Sequence, residues 1–225
     1  MGMQVYTGLS DTHTFLEKLV EVGALTRFEK ETDELICRAY LNDNVYFRTG
    51  KPAADTTGSV WMDICVNDPQ VVDPIFAADK NTVANQKFNW KIIKFDTGYL
   101  FGISTYNGTG NEPYLNYFIG NCIDDTGKES KGAICRLKTS SDYVIVTGEV
   151  SSITIKNDVR TIGSFKSEYS TVLIPVYHAF SRKRFRDIYI VSQSTTTDAS
   201  RHFILNNEHY YAGYSGDVAI KFAMN

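Results

Sequence analysis

Residues 35–48 read LICRAYLNDNVYFR. Leu35, Cys37, Ala39 and Leu41 alternate with Ile36, Arg38 and Tyr40, the period of two that sends successive side chains to opposite faces of a strand. Asn42-Asp43-Asn44 supplies turn residues, and Val45 to Arg48 begins a second β-favouring run, so the stretch predicts an antiparallel hairpin. Val60, Met62, Ile64 and Val66 repeat the alternation. Between Asp68 and Asn89 the polarity is mixed and Pro69 and Pro74 intervene, which predicts a loop with a short helix around Ile75 to Asp79.

Downstream the pattern recurs. Trp90 to Phe95 and Tyr99 to Ser104 flank Asp96-Thr97-Gly98, turn formers between two β runs. Strands are further predicted at Tyr114 to Ile123, Ala133 to Leu137, Tyr143 to Val146, Ser152 to Ile155, Val172 to Tyr177, Ile188 to Ser192, Phe203 to Leu205, Tyr210 to Tyr211 and Val218 to Phe222. Asn206-Asn207 joins two of them as a tight turn.

Upstream, one segment departs from the period of two. In Asp11 to Val22, Phe15, Leu16, Leu19 and Val20 share one side of a helix, and Gly23 is a stop. Such a stripe must be covered, and packing on the chain's own sheet is the economical solution. The fold class that follows is mainly β: an antiparallel β-sandwich or barrel-like sheets with one N-terminal amphipathic helix. Residues 1–225 read as a single domain, with a candidate subdivision near 160–170 and no internal repeat.

Composition bounds the function. The chain is 43% hydrophobic and 22% charged with five prolines, the balance of an ordered globular domain. With 14 Tyr and 13 Phe it is rich in rings that suit half-buried strands and contact surfaces. A net charge of -3 and a pI of 5.8 supply no overall positive field, which argues against nucleic acid as a partner. Met1 to Ser10 lacks a basic segment leading into an apolar run, and no stretch approaches a membrane span, so neither a secretory leader nor a membrane partner is expected. Cys37, Cys65, Cys122 and Cys135 lack metal-ligand spacing and are expected as free thiols. Cys122 and Cys135 lie almost symmetrically about Lys128 and are expected as cross-strand neighbours.

Catalytic signatures are thin. Asp96-Thr97-Gly98 and Asp125-Thr126-Gly127 look like the triplets on which aspartic proteases share a proton. Both fall at expected hairpin turns, however, and too few residues separate them to build two lobes. His13, His178, His202 and His209 are scattered; only His202 and His209 could face one another, and two imidazoles fall short of a zinc site. Asp124, Asp125 and Glu129 lack the ligand spacing of an EF-hand. The nucleophile-elbow, phosphate-loop, dinucleotide and zinc-protease motifs are absent. No catalytic residue, metal or cofactor is assigned, an enzyme is not expected, and nothing points to a small-molecule substrate. The densest charge run, Arg182, Lys183, Arg184 and Arg186 around Phe185, reads as a basic loop. It is either a solvated connection or a patch that docks on an acidic partner or a phosphate backbone.

Several segments together resemble structural proteins of tailed-bacteriophage particles. They are Tyr6-Thr7-Gly8-Leu9 before the helix, Gly98 to Ile103, Tyr114 to Gly120, Leu173-Ile174-Pro175-Val176-Tyr177, and the ending Phe203 to Phe222 with Tyr210-Tyr211 and Val218-Ala219-Ile220-Lys221-Phe222. The resemblance implies a virion protein of the neck, tail or baseplate, made in the host cytoplasm, whose partners are other virion proteins and copies of itself. It brings no catalytic residue with it. The alternative from the residues is a carbohydrate- or receptor-binding β-sandwich with Trp61, Trp90, Tyr106 or Tyr114 as a stacking platform. A hydrolase with an unmarked carboxylate pair at Asp96 and Asp125 ranks third.

Overall fold

The structure, a computed structural model, describes residues 2–30, 37–50, 61–66, 71–77, 87–104, 113–136, 143–147, 153–155, 173–178, 181–191, 201–213 and 218–224. The candidate boundary near 160–170 lies outside them. The chain is mainly antiparallel β, with one helix near the N-terminus and sheets curled into a half-barrel.

In chain order the elements are β1 (Gln4–Ser10), α1 (Thr12–Glu21), β2 (Arg27–Lys30), β3 (Cys37–Tyr40), β4 (Val45–Gly50), β5 (Trp61–Val66) and β6 (Val71–Ala77). There follow β7 (Phe88–Lys94), β8 (Gly98–Ile103), β9 (Tyr114–Asp124), β10 (Glu129–Arg136), β11 (Tyr143–Val146) and β12 (Ile153–Ile155). The last five are β13 (Leu173–His178), β14 (Lys183–Val191), β15 (His202–Leu205), β16 (Glu208–Ala212) and β17 (Val218–Phe222). Among the described residues β2 to β6 form a five-stranded sheet in sequence order, and the other twelve strands form one branched sheet.

The helix forms where its stripe requires it. Asp11 accepts from Thr14 N at 2.8 Å as N-cap, satisfying a backbone donor that the first turn cannot, and Gly23 ends the run at φ 86°. Phe15, Leu16 and Leu19 are fully buried and meet Ala39 and Phe47 of the small sheet and Trp90, Phe101 and Ile119 of the large one. The stripe is therefore covered by the chain's own sheets.

β7 to β11 form a middle layer that is apolar on both faces. One face joins the helix cluster. The other, with Ile93, Leu100, Phe118 and Ile134, packs on Val176, Phe185, Ile188 and Ile220 from β13, β14 and β17. The two halves of the large sheet join at a corner: β9 pairs with β8 through Tyr114–Gly120 and with β14 through Cys122–Asp124. β14 in turn leaves β9 after Phe185 and takes up β17 at Ile188. Between these points its register with β13 slips, from Tyr189 opposite Pro175 to Arg184 opposite Tyr177, the kind of irregularity by which a strand changes sheets.

Three expectations are corrected and two strands are added. Residues 71–77 are strand, not loop and helix; among the described residues β6 is an outer strand of the small sheet and Pro74 falls at a register slip opposite Asp63, where a missing N–H costs little. β1 and β2 were not expected, being short of a clean alternation. β14 begins at Lys183, so most of the basic run is strand. Cys122 and Cys135 are not cross-strand neighbours: Cys122 pairs with Ser130 and Cys135 with Tyr117, and the two thiols belong to clusters on opposite faces. Both are free and buried, and burial pushes the Cys122 thiol up to about 12.

Candidate functional site

The basic run comes apart into four different environments. Arg182 occupies the turn into β14, exposed, with a left-handed φ of 50° that disfavours a residue with a Cβ. Lys183 faces inward and is 7% exposed, its Nζ donating to Thr147 O at 3.4 Å. Arg184 is exposed and lies directly across from Tyr177 of β13, itself 52% exposed. Arg186 bridges to Glu129 at 2.9 Å and lies 3.9 Å from Asp187. Among the described residues neither Arg182 nor Arg184 has a carboxylate partner. What remains available for contact is two guanidinium groups and a tyrosine ring on the outer side of the corner. Tyr177 was missed as a member because strand pairing, not sequence spacing, brings it there.

The carboxylates do not converge as the triplets suggest. Asp96-Thr97-Gly98 is the β7–β8 turn: Asp96 accepts from Ala223 N at 3.3 Å and the Thr97 hydroxyl donates to Lys221 O. Asp125-Thr126-Gly127 is the β9–β10 turn, where the adjacent Asp124 accepts from Thr126 N at 2.9 Å, Thr126 Oγ1 at 2.6 Å and Lys128 N at 2.9 Å. These bonds, that from the Thr126 hydroxyl first, hold the Asp124 carboxyl below its ordinary range. The perturbed carboxylate near Asp96 is Asp187. Burial raises its pKa, Arg186 and Lys221 oppose the rise, and Asp96 and Glu208 add to it. Glu208 is ion-paired with Lys221 and Arg186 lies 3.9 Å from Asp187, so this group is an ion-pair cluster rather than a carboxylate dyad.

His202 and His209 meet across the β15–β16 hairpin, as expected. Asn206 and Asn207 both have positive φ, 50° and 62°, the mirror-image turn that matches strand twist. The imidazoles stack with centroids 5.1 Å apart, with Nε2 and Nδ1 at 2.8 Å, against Phe222. No group of three or more His, Cys, Asp or Glu side chains suited to a metal occurs among the described residues. The sugar platform does not form at Trp90, which is 7% exposed and packs on Phe15 at 5.9 Å; Tyr106 and the Trp61 side chain lie outside the described residues.

A shallow pocket of about 330 Å³ lies beside the β7–β8 turn, lined in part by Lys94, Asp96, Tyr99, Asn121 and Lys131. Its cations already have work. Lys94 and the Tyr99 hydroxyl each donate to Val22 O at 3.1 Å, and Lys131 donates to Gly23 O at 3.0 Å and Ala24 O at 3.3 Å. They satisfy carbonyls that the helix end leaves open and complement its dipole. Burial, then the Lys94 charge, pushes the Lys131 pKa down.

No protein-family model, curated protein or solved structure significantly matches the chain. No helix among the described residues is long and apolar enough to cross a membrane.

Proposed function

We propose that the chain is a structural protein of a tailed-phage particle, in the neck, tail or baseplate, that works through protein contacts within a symmetric assembly. The observation that carries the contact reading is the corner of β13 and β14: Arg182, Arg184 and Tyr177 stand exposed together without an opposing carboxylate among the described residues. Tyr and Arg are the side chains most enriched where proteins meet, because each joins a large apolar or planar body to a polar tip. The phage reading rests on the segmental resemblance, and no reaction belongs to it.

Mass spectrometry of purified particles is expected to find the chain at a fixed copy number. Particles assembled with Arg182→Glu and Arg184→Glu are expected to carry less of it. Particles without the chain overturn the assignment, and undiminished incorporation of the double variant overturns the role of the corner.

A further inference from the structure

Among the described residues β1 pairs with β7 alone, so one long side of Gln4–Ser10 meets no strand. Sheet edges are ordinarily guarded by a charge, a proline or a bulge. This one has none: QVYTGLS carries no charge and no proline, and its register with β7 is unbroken from Gln4 opposite Lys94 to Ser10 opposite Phe88. The odd positions face solvent, with Val5 48% and Leu9 60% exposed, and Met3, at 46%, extends the stripe. The even positions face the helix side, where Tyr6 packs on the core and Ser10 accepts from the Trp90 indole.

We propose that this edge is closed by β1 of a second copy, antiparallel about a two-fold axis at Thr7. Side chains directly opposite in such a pair share a face, so the axis must pass through a residue rather than between two. Centred on Thr7, the strand sets Gln4 against Ser10, Val5 against Leu9, Tyr6 against Gly8, and Thr7 against itself. Polar meets polar, apolar meets apolar, and Thr7 on Thr7 is itself a favoured cross-strand pair. A centre at Tyr6 sets Val5 against Thr7 and a centre at Gly8 sets Leu9 against Thr7, so Thr7 alone pairs the two exposed apolar side chains of β1 with each other.

Charge does not oppose the arrangement. The nearest charged side chain on the exposed face is Lys91, across from Thr7 on β7. It stands three strand spacings from its copy, about 14 Å, beyond the screening length of about 10 Å. The area is modest: one strand edge and three apolar side chains fall below the roughly 800 Å² per partner of a standard interface. The isolated dimer is therefore concentration-dependent, and it tightens where other contacts hold two copies side by side.

Sedimentation equilibrium of the full chain from about 10 μM to about 1 mM is expected to show the mass rising towards that of two copies, as a weak interface requires. Leu9→Lys is expected to keep it monomeric with unchanged circular dichroism. On mild oxidation Thr7→Cys, which faces itself, is expected to yield covalent dimer. Leu9→Cys alone is expected not to, but to link to Val5→Cys in a mixture. A monomer at every concentration, which would leave the edge to a strand of a different protein, overturns the proposal. So does Thr7→Cys linking no faster than Leu9→Cys. These readouts use no particle, so they stand or fall separately from the phage assignment.

Discussion

Trp90 lies across Gly8, its own cross-strand partner. The two pair in register between β7 and β1, a Cβ at Gly8 would stand 2.2 Å from the indole Cζ2, and the indole N–H donates to Ser10 Oγ at 2.9 Å. A ring over an edge glycine restores the apolar cover that the missing side chain forfeits. Gly8→Val is expected to cost about 1–3 kcal/mol through overpacking, and Trp90→Ala about 3–5 kcal/mol through the cavity left beside Phe15. Urea unfolding followed by circular dichroism measures both, and a neutral Gly8→Val would contradict the packing.

The end of α1 offers a gentler test. Tyr99→Phe keeps the ring beside Lys94 and Lys131, whose ammonium groups lie 5.7 and 6.0 Å from its centre, but removes the donor to Val22 O. The expected loss is about 0.5–1.5 kcal/mol, with faster amide exchange confined to the last turn of the helix. Uniformly faster exchange would place the effect elsewhere.

Two carboxylates set opposite trends with pH. Asp124 has a folded pKa below its ordinary value of 3.8, so its contribution is present above that value and disappears as pH falls through the folded one. Asp124→Asn retains the acceptor oxygen without the charge, and the acid limb of the stability curve is expected to flatten. Thermal melts between about pH 2 and pH 6 measure the slope, which an unchanged limb would assign to other groups.

Asp187 runs the other way. Its folded pKa is raised, so a penalty sets in as pH climbs through the unfolded value and is complete above the folded one. Asp187→Asn is expected to raise the melting temperature at neutral pH and to have no effect once both states are protonated. A gain that persists in strong acid would point to packing instead of charge.

Arg182 carries a Cβ where the backbone is left-handed. Arg182→Gly is expected to stabilise the isolated chain by up to about 1 kcal/mol, while Arg182→Glu with Arg184→Glu leaves stability within about 0.5 kcal/mol. If the glycine variant were also less well incorporated into particles, the side chain at this turn would be maintained for contact and not for folding.

The strands legible in the sequence were those that turn residues bracket. β3, β4, β8 and β17 are runs of β-favouring residues with strong turn residues beside them, and their positions follow within a residue or two. β1 was hidden because Gly8 breaks the apolar rhythm, and the ring that replaces its side chain comes from 82 positions later in the chain. β6 was hidden because Pro74 is tolerated only on an outer strand, and which strand lies outermost is decided by pairing. The same holds for the corner surface. Its arginines were visible as a run, but inward Lys183, ion-paired Arg186 and the arrival of Tyr177 all depend on a strand register that no local pattern encodes.

β9 donates hydrogen bonds to two layers at once, serving β8 with its first part and β14 with its last. A pull delivered at the outer turn near Arg182 therefore reaches the inner layer through three rungs between β14 and β9, from Lys183 opposite Asp124 to Phe185 opposite Cys122. Those rungs are loaded together in shear, whereas a hairpin tugged sideways would open one rung after another.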